Sequence, residues 1–453
     1  MSLPIAIGID MTRRSIYHNS TKTDTPPNFL NFQLHTATAY CLLRLTHCPL
    51  RLPTTITTYL IITLLFTFFL WDNQRIGKKR GLSKKDGLWL QALWVYHFGF
   101  AFVFYYYILE NGGDALRYWA LEAEGVENPD HWMGYWGQRT HFVQWLNYVP
   151  AKVLGLDFLA GDVLYAAFSF LGIREVYFWM LRIKPIKPWM EWGLIGIFFL
   201  PNLHFWSAGV GKEALLLVGL VWALKGFVSL EDHWKVVGIG VLLSFWVRPL
   251  QGVVLGGMLG IYFFWQKEIP LRLKLGVGLG MAVVMAVGIW RILQYMHLEE
   301  LSIKGLMAFS SGQMDFLRDF GAGSEIPMET YNVFEKGFAL FFRPFLGEVA
   351  GVWQMGAALE NSIALSLALG LLAVLPFYFG RNIKFPIPPF LWAGLIFGLL
   401  MAIAFAFTLN NLGIIMRMKS MYMLFFYLFC FGGVWGRMNF KRAKNQEPRT
   451  KNF

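Results

Sequence analysis

Charge is scarce in this chain. Only 15% of its 453 residues are Asp, Glu, Lys or Arg, against 56% that are hydrophobic. A soluble domain carries about a quarter charged residues, so the shortage excludes an ordinary water-soluble fold. Period-2 alternation in segments of about ten residues is missing too, which excludes a transmembrane barrel. Cysteine is nearly absent. Cys41, Cys48 and Cys430 form no metal-like cluster with His and say little about redox compartment. No Asp-x-Asp and no pair of His at helical spacing occurs, and the nearest approach is Glu122-x-Glu124 in a charged stretch. Neither a metal nor another cofactor is expected. The chain also lacks an internal repeat and a second soluble domain.

What it has instead is long apolar runs, several near or above the ~18 residues that cross hydrocarbon as a helix. The fold class is all-α: a polytopic integral membrane protein with about 10–11 transmembrane helices. The runs lie near 56–71, 87–109, 155–181, 189–206, 213–229, 236–248, 250–265, 275–293, 349–379, 388–409 and 416–435. The run at 236–248 is short for a span at 1.5 Å per residue, and Pro249 follows it. Residues 236–265 are therefore either two spans or a re-entrant hairpin. Residues 1–55, rich in Thr, His, Pro and Asn, lack the basic start and apolar core of a signal peptide. They read as a disordered tail or as sequence upstream of the true start, although after Met11 the next methionine is Met133. Residues 56–436 form one helical membrane domain, and 437–453 a basic tail.

The net charge of +12 does not call for nucleic acid, because basic residues of membrane proteins gather in cytoplasmic loops. Every second connection here is basic. Arg75, Lys78, Lys79, Arg80, Lys84 and Lys85 follow the first run. Arg182, Lys184 and Lys187 come next, then Lys267, Arg272 and Lys274, then Arg381 and Lys384, and finally Arg437, Lys441, Arg442 and Lys444. The positive-inside rule places these in the cytoplasm together with the C-terminus. The connection at 230–235 fits by parity without being basic. The N-terminal tail falls outside despite its own basic residues. Two long periplasmic loops follow, near 110–152 and 294–348. The first is acidic and contains an amphipathic stretch, 141–150, suited to a membrane surface.

The outward set concentrates the chemistry. It contains Gly112-Gly-Asp114-Ala-Leu-Arg117-Tyr118-Trp119, then the stretch Pro201 to Glu213 with His204 and Lys212. Arg248-Pro249, Arg343-Pro344 and a segment from Asn410 through Arg417 to Lys419 complete it. Charges beside hydrocarbon are costly and tend to mark function. Asp114, after two glycines, is either a general base whose pKa desolvation lifts toward neutrality or a helix cap. Arg117 shares its helical face and either pairs with it or reads an anion. Lys212 and Glu213 open a helix, where amides and a lysine suit phosphate. The plainer alternative is a lysine reaching the interface. Gly209-Val-Gly211-Lys212 is no Walker A loop, lacking its spacer and its Ser or Thr. His204 is either an acid, base or phosphate donor, or a satisfied interface residue. Arg248, Arg343 and Arg417 match phosphate oxygens two at a time and suit a pyrophosphate leaving group. Headgroup contact is the bland alternative for each. Aromatics make up 17% of the chain. Most serve packing and interface belts, and an outward pocket of Trp and Tyr would suit sugar rings.

The order of these elements resembles bacterial envelope-polysaccharide membrane enzymes. It is similar to O-antigen or exopolysaccharide polymerases, and more loosely to GT-C glycosyltransferases, over about residues 87–435. The resemblance rests on Gly-Gly-Asp-Ala-Leu-Arg-Tyr, on Phe-Trp-Ser-Ala-Gly-Val-Gly-Lys-Glu, on Arg-Pro, and on Asn-Leu-Gly-Ile-Ile-Met-Arg before the last run. It implies an inner-membrane enzyme acting at the periplasmic face on a polyprenyl-pyrophosphate-linked glycan, among membrane lipids and within a polysaccharide assembly machinery. Asp114 would match the GT-C carboxylate, although the second acidic residue of that motif is missing. Arg248, Arg343 and Arg417 would match the polymerase arginines. The rival readings are a transporter or flippase of an anionic or lipid-linked substrate, and a non-enzymatic subunit of an envelope complex.

Overall fold

The computed structural model describes residues 56–434, apart from 123–128, 182, 185–187, 267–269, 296–301, 320–323, 350 and 381–386, together with 439–440. The N-terminal segment, Cys41, Cys48, Glu124 and the basic residues beyond 440 lie outside the described residues. So do Arg182, Lys187, Lys267, Arg381, Lys384 and Arg437.

The chain is all-α. Its helices are α1 Ile56–Lys79, α2 Lys84–Asn111, α3 Asp114–Ala120, α4 Thr140–Asn147, α5 Phe158–Leu181, α6 Pro188–Ile197, α7 Pro201–Ser207 and α8 Lys212–Leu224. They continue as α9 Gly226–Val247, α10 Pro249–Trp265, α11 Leu271–Tyr295, α12 Ile303–Asp319, α13 Val333–Phe342, α14 Val352–Gly380, α15 Pro389–Ala406 and α16 Leu412–Val434. Among the described residues, seven helical stretches are long and apolar enough to cross a membrane: α1, α2, α5, Lys212–Leu230, Val352–Pro376 within α14, α15 and α16. The chain is therefore a multi-pass membrane protein. α5 and α16 are interior and bury most of their lengths, whereas α1 and α14 expose most of theirs. Aromatic interlocking fixes the first helices: Phe69 stacks on Trp94 at 4.6 Å, and Trp94 meets Phe170 at 4.9 Å.

Local sequence sets the boundaries. Ser83 caps α2 by accepting from the Asp86 amide. Pro201, Pro249 and Pro389 open their helices, where a missing N–H costs nothing. Asn332 and Glu335 form a capping box at α13.

Three expectations are corrected. The run at 189–206 is not one helix: α6 ends at Ile197 and α7 begins at Pro201, because proline has no N–H to donate to the preceding turn. The α7 start is buried and is satisfied from elsewhere, since Glu360 of α14 accepts from the Asn202 amide at 2.8 Å. The stretch 230–235 is not a loop. It is helical and extends the short run at 236–248 into α9, with the break at Ser229 (φ −167°, ψ 93°). At the break the Ser229 hydroxyl donates to Asp232 Oδ2. The helix beyond Ser229 and α10, of 17 residues, thus follow one another across Arg248, and neither is among the described helices long and apolar enough to cross a membrane. The stretch 294–348, expected as a loop, contains two helices, α12 and α13.

The two ends of the bundle differ. The α1–α2 turn carries Lys78, Lys79, Arg80, Lys84 and Lys85. Lys85 pairs with Glu191 of α6 at 2.6 Å, and Arg80 lies over Phe178 near the end of α5. β1 (Ile183–Lys184) pairs antiparallel with β2 (Asn439–Phe440), joining the exits of α5 and α16. α2, with 28 residues, runs about 42 Å from this basic end to the opposite one, where Asp114 begins α3.

Candidate functional site: a charged cluster at the far end

Four segments separated in sequence meet at the end remote from the basic turn. The first is the α2–α3 corner. Gly112 and Gly113 have φ of 73° and 147°, a region closed to most side chains. Their turn sets Asp114 at the head of α3. The second is the α7–α8 corner. The backbone of Gly209 comes so close to Phe104 that a Cβ there would fall 2.0 Å from the ring. The Val210 amide donates to Asp162 at 2.7 Å, which anchors the turn on α5. α8 then begins at Lys212 with no side-chain cap, so its first amides keep their positive end toward the cluster. Arg248, between α9 and α10, is the third segment, and Arg417 in α16 is the fourth.

Glu213 is the hub, its side chain only 2% exposed. One of its oxygens lies 2.6 Å from Arg248 Nη2 and 2.9 Å from Arg417 Nε. The Arg248 contact is an aligned hydrogen bond, whereas the Arg417 Nε–H finds no aligned acceptor. Arg417 Nη1 donates to Asp114 Oδ2 at 3.0 Å, and its guanidinium rests 5.8 Å from the Trp206 ring centre, within cation–π range. Arg248 also donates to Met418 Sδ. Lys212 Nζ donates to Thr140 Oγ1 at 3.0 Å and lies 5.2 Å from the Tyr118 ring. Tyr118 Oη donates weakly to Asp114 at 3.4 Å.

Three cations (Lys212, Arg248, Arg417) against two carboxylates (Asp114, Glu213) leave one net positive charge. Asp114 is the open member, with half its side chain exposed (52%). Partial burial pushes its carboxyl up, but Arg417, with help from Lys212 and the Tyr118 hydroxyl, outweighs that and holds it below the usual range. The expectation that desolvation lifts Asp114 toward neutrality is thereby corrected for this state: the guanidinium wins.

Two residues expected to join this site bond to other partners instead. Arg343 follows α13, joined to Pro344 by a cis peptide. Its guanidinium pairs with Glu348 at 2.7 Å and donates to Tyr331 Oη at 2.7 Å. Only its backbone carbonyl approaches α16, accepting from Lys419 Nζ at 3.1 Å. His204 is fully buried. Its Nδ1 meets His97 Nδ1 at 2.9 Å and its Nε2 the Phe198 carbonyl at 2.6 Å, so both nitrogens are engaged away from Asp114. Arg117 sits one turn along α3, half-buried.

Residues that sequence reasoning passed over matter as much. Tyr118, Trp206 and Thr140 complete the cluster wall. Behind it, Lys419 is buried and donates to Asn361 Oδ1 and to the Phe341 and Arg343 carbonyls. Glu360 is held by Tyr427 and the Asn202 amide. Glu360-Asn361 is a polar pair inside an apolar run, and that is a readable signal. Among the described residues, no group of three or more His, Cys, Asp and Glu is arranged to hold a metal ion.

The fold and site together define a multi-pass helical membrane protein with a charged cluster at one end of its bundle. No family model, no curated protein and no solved structure matches the chain.

Proposed function

We propose that this protein is an inner-membrane enzyme that transfers or polymerises glycan from a polyprenyl-pyrophosphate-linked sugar donor at the periplasmic face. One observation carries the reading. Asp114, Glu213, Arg248 and Arg417, from four distant segments, join within hydrogen-bond reach, with Lys212 held beside them by Thr140 and Tyr118, a positive excess and one carboxylate open to solvent. The basic α1–α2 turn at the other end supports a cytoplasmic place for that end under the positive-inside rule, and with it an outer place for the cluster.

In this reading Arg248, Arg417 and Lys212 take the pyrophosphate oxygens. The acceptor hydroxyl gives its proton to Asp114 as its oxygen bonds to the anomeric carbon. The anomeric carbon–oxygen bond breaks, and the electron pair leaves on the lipid pyrophosphate, where the guanidinia stabilise it. Arg417 couples the two halves. When it turns to the incoming anion its hold on Asp114 weakens, and the carboxylate becomes a better base. Glu213 is a positioning residue that keeps both guanidinia aimed.

The test is glycan output in cells carrying Arg417→Gln or Asp114→Asn at normal membrane abundance. Loss of an oxyanion-type contact or of a general base lowers turnover by about 100-fold or more, so short lipid-linked units should accumulate and long polymer disappear. Unchanged glycan in both variants refutes the proposal. A second reading, translocation of an anionic lipid-linked substrate, is favoured by the buried polar groups beneath the cluster: His97, His204, Ser169, Glu360 and Lys419. It requires transport in reconstituted vesicles without any new glycosidic bond.

A further inference from the structure

A second feature lies beside the charged cluster and is used by none of the steps above. Trp132 and Trp145 stack with ring centres 4.8 Å apart and planes 12° apart. Trp136 stands edge-on to Trp145 at 4.8 Å and meets Trp246 at 5.7 Å. Phe142 lies nearly parallel to Trp145 at 5.8 Å. The shelf is held rigid: Trp132 Nε1 donates to the Trp145 carbonyl at 2.9 Å, and the Arg139 amide to the Trp246 carbonyl at 2.8 Å. It is also open, since Trp132 and Trp136 remain 40% and 46% exposed. Asp130, His131 and His141, all exposed, supply polar groups among these rings. The shelf is continuous with the cluster through two short links. Trp246 precedes Arg248 by two residues, and Thr140, one residue from Arg139, accepts from Lys212 Nζ.

We propose that Trp132, Trp136, Trp145 and Trp246 form a sugar-ring subsite, seating the first sugar of a glycan whose pyrophosphate lies on Arg248 and Arg417. The inference rests on the glycosyl-transfer reading and deepens it. A sugar presents an apolar C–H face that matches an indole plane, and a rim of hydroxyls that needs donors and acceptors. Rigid rings beside charged and imidazole side chains offer both. Interface belts also carry tryptophan. Here the rings pack on one another, and exposed Asp130, His131 and His141 stand near them in sequence alongside exposed Met133.

The experiment uses the full chain in phosphatidylcholine nanodiscs and compares two probes. One is bare polyprenyl pyrophosphate. The other is the same lipid carrying glucose, galactose or N-acetylglucosamine. The wild type should bind at least one sugar-bearing lipid about tenfold more tightly than the bare lipid, the size expected of one good ring-stacking contact. Trp136→Ala should erase that difference while leaving the bare lipid unchanged, and Trp136→Phe should keep part of it. Arg417→Gln should weaken both probes. Equal affinity for bare and all three sugar-bearing lipids in the wild type overturns the subsite alone, as does equal weakening of both probes by Trp136→Ala. Failure of bare polyprenyl pyrophosphate to bind, with no effect of Arg417→Gln, overturns the parent reading and the subsite with it.

Discussion

Removing the charge of Glu213 should damage the protein more than removing either arginine's share of it. The carboxylate is almost wholly buried and faces two guanidinia from one oxygen. Charge centres about 4 Å apart attract by roughly 4 kcal/mol at the effective dielectric of such sites, so the two pairs amount to about 8 kcal/mol gross. Glu213→Gln loses that attraction and leaves Arg248 and Arg417 repelling each other. The carboxylate's own desolvation penalty, several kcal/mol, disappears as well. The net cost is about 3–5 kcal/mol, the usual outcome when one partner of a buried pair is deleted. Adding Arg248→Met to Glu213→Gln should restore at least about 1–2 kcal/mol of this, because the unpaired cation is gone and methionine fills its space. Arg417 keeps Asp114 in both variants. The assay is thermal unfolding in detergent, read as loss of monodisperse protein after heating. In a chain of this size each kcal/mol moves the midpoint by about 1–2 °C. The single variant should fall by about 3–10 °C and the double variant should lie above it. A Glu213→Gln midpoint equal to wild type would refute the reasoning, as would a double variant no better than the single.

Two further outcomes follow from the same geometry. The carboxyl of Asp114 is depressed in the folded protein, so the pair with Arg417 contributes above the unfolded value of about 3.9 and is lost as pH falls through the folded value. The stability gap between wild type and Asp114→Asn should therefore be constant at neutral pH and close only in acid. A gap that closes between about pH 6 and 7 would mean a raised carboxyl and sink this account. Arg343→Ala should leave binding of polyprenyl pyrophosphate within about twofold and cost about 1 kcal/mol of stability or less, through Glu348 and Tyr331. A loss of affinity as large as that of Arg417→Gln would return Arg343 to the site.

The apolar runs were legible because run length is itself the physical signal, and α1, α2, α5, α14, α15 and α16 lie where the runs lie. Charge misled at 230–235. Glu231-Asp-His-Trp-Lys235 reads as a loop by polarity, yet its residues accept a helix and Ser229 starts one. The break before α7 was written in Pro201, but apolarity on both sides masked it. At the site, residue type and a shared end of the bundle could be read for Asp114, Lys212, Glu213, Arg248 and Arg417. Partnership could not, because the pairing of Asp114 with Arg417 spans 303 positions and no local pattern encodes it. Arg248-Pro249 and Arg343-Pro344 look alike in sequence. They part only in three dimensions, where Arg248 meets buried Glu213 and Arg343 meets its near neighbour Glu348. His204 sat in the right stretch, but α7 turns it inward to His97.

That long pairing bears on how the protein is made. Asp114, Glu213 and Arg248 emerge from the ribosome well before Arg417, which arrives on the last helix. Until α16 inserts beside α7, α8 and α14, Asp114 lacks its guanidinium and Glu360 lacks Tyr427. The cluster is thus completed only when α16 docks. A chain cut before residue 412 would retain most of the described helices but lack Arg417, the guanidinium that joins Asp114 to Glu213. Conversely, a separately expressed α16 that restores Arg417 to such a fragment would rebuild the centre from two pieces.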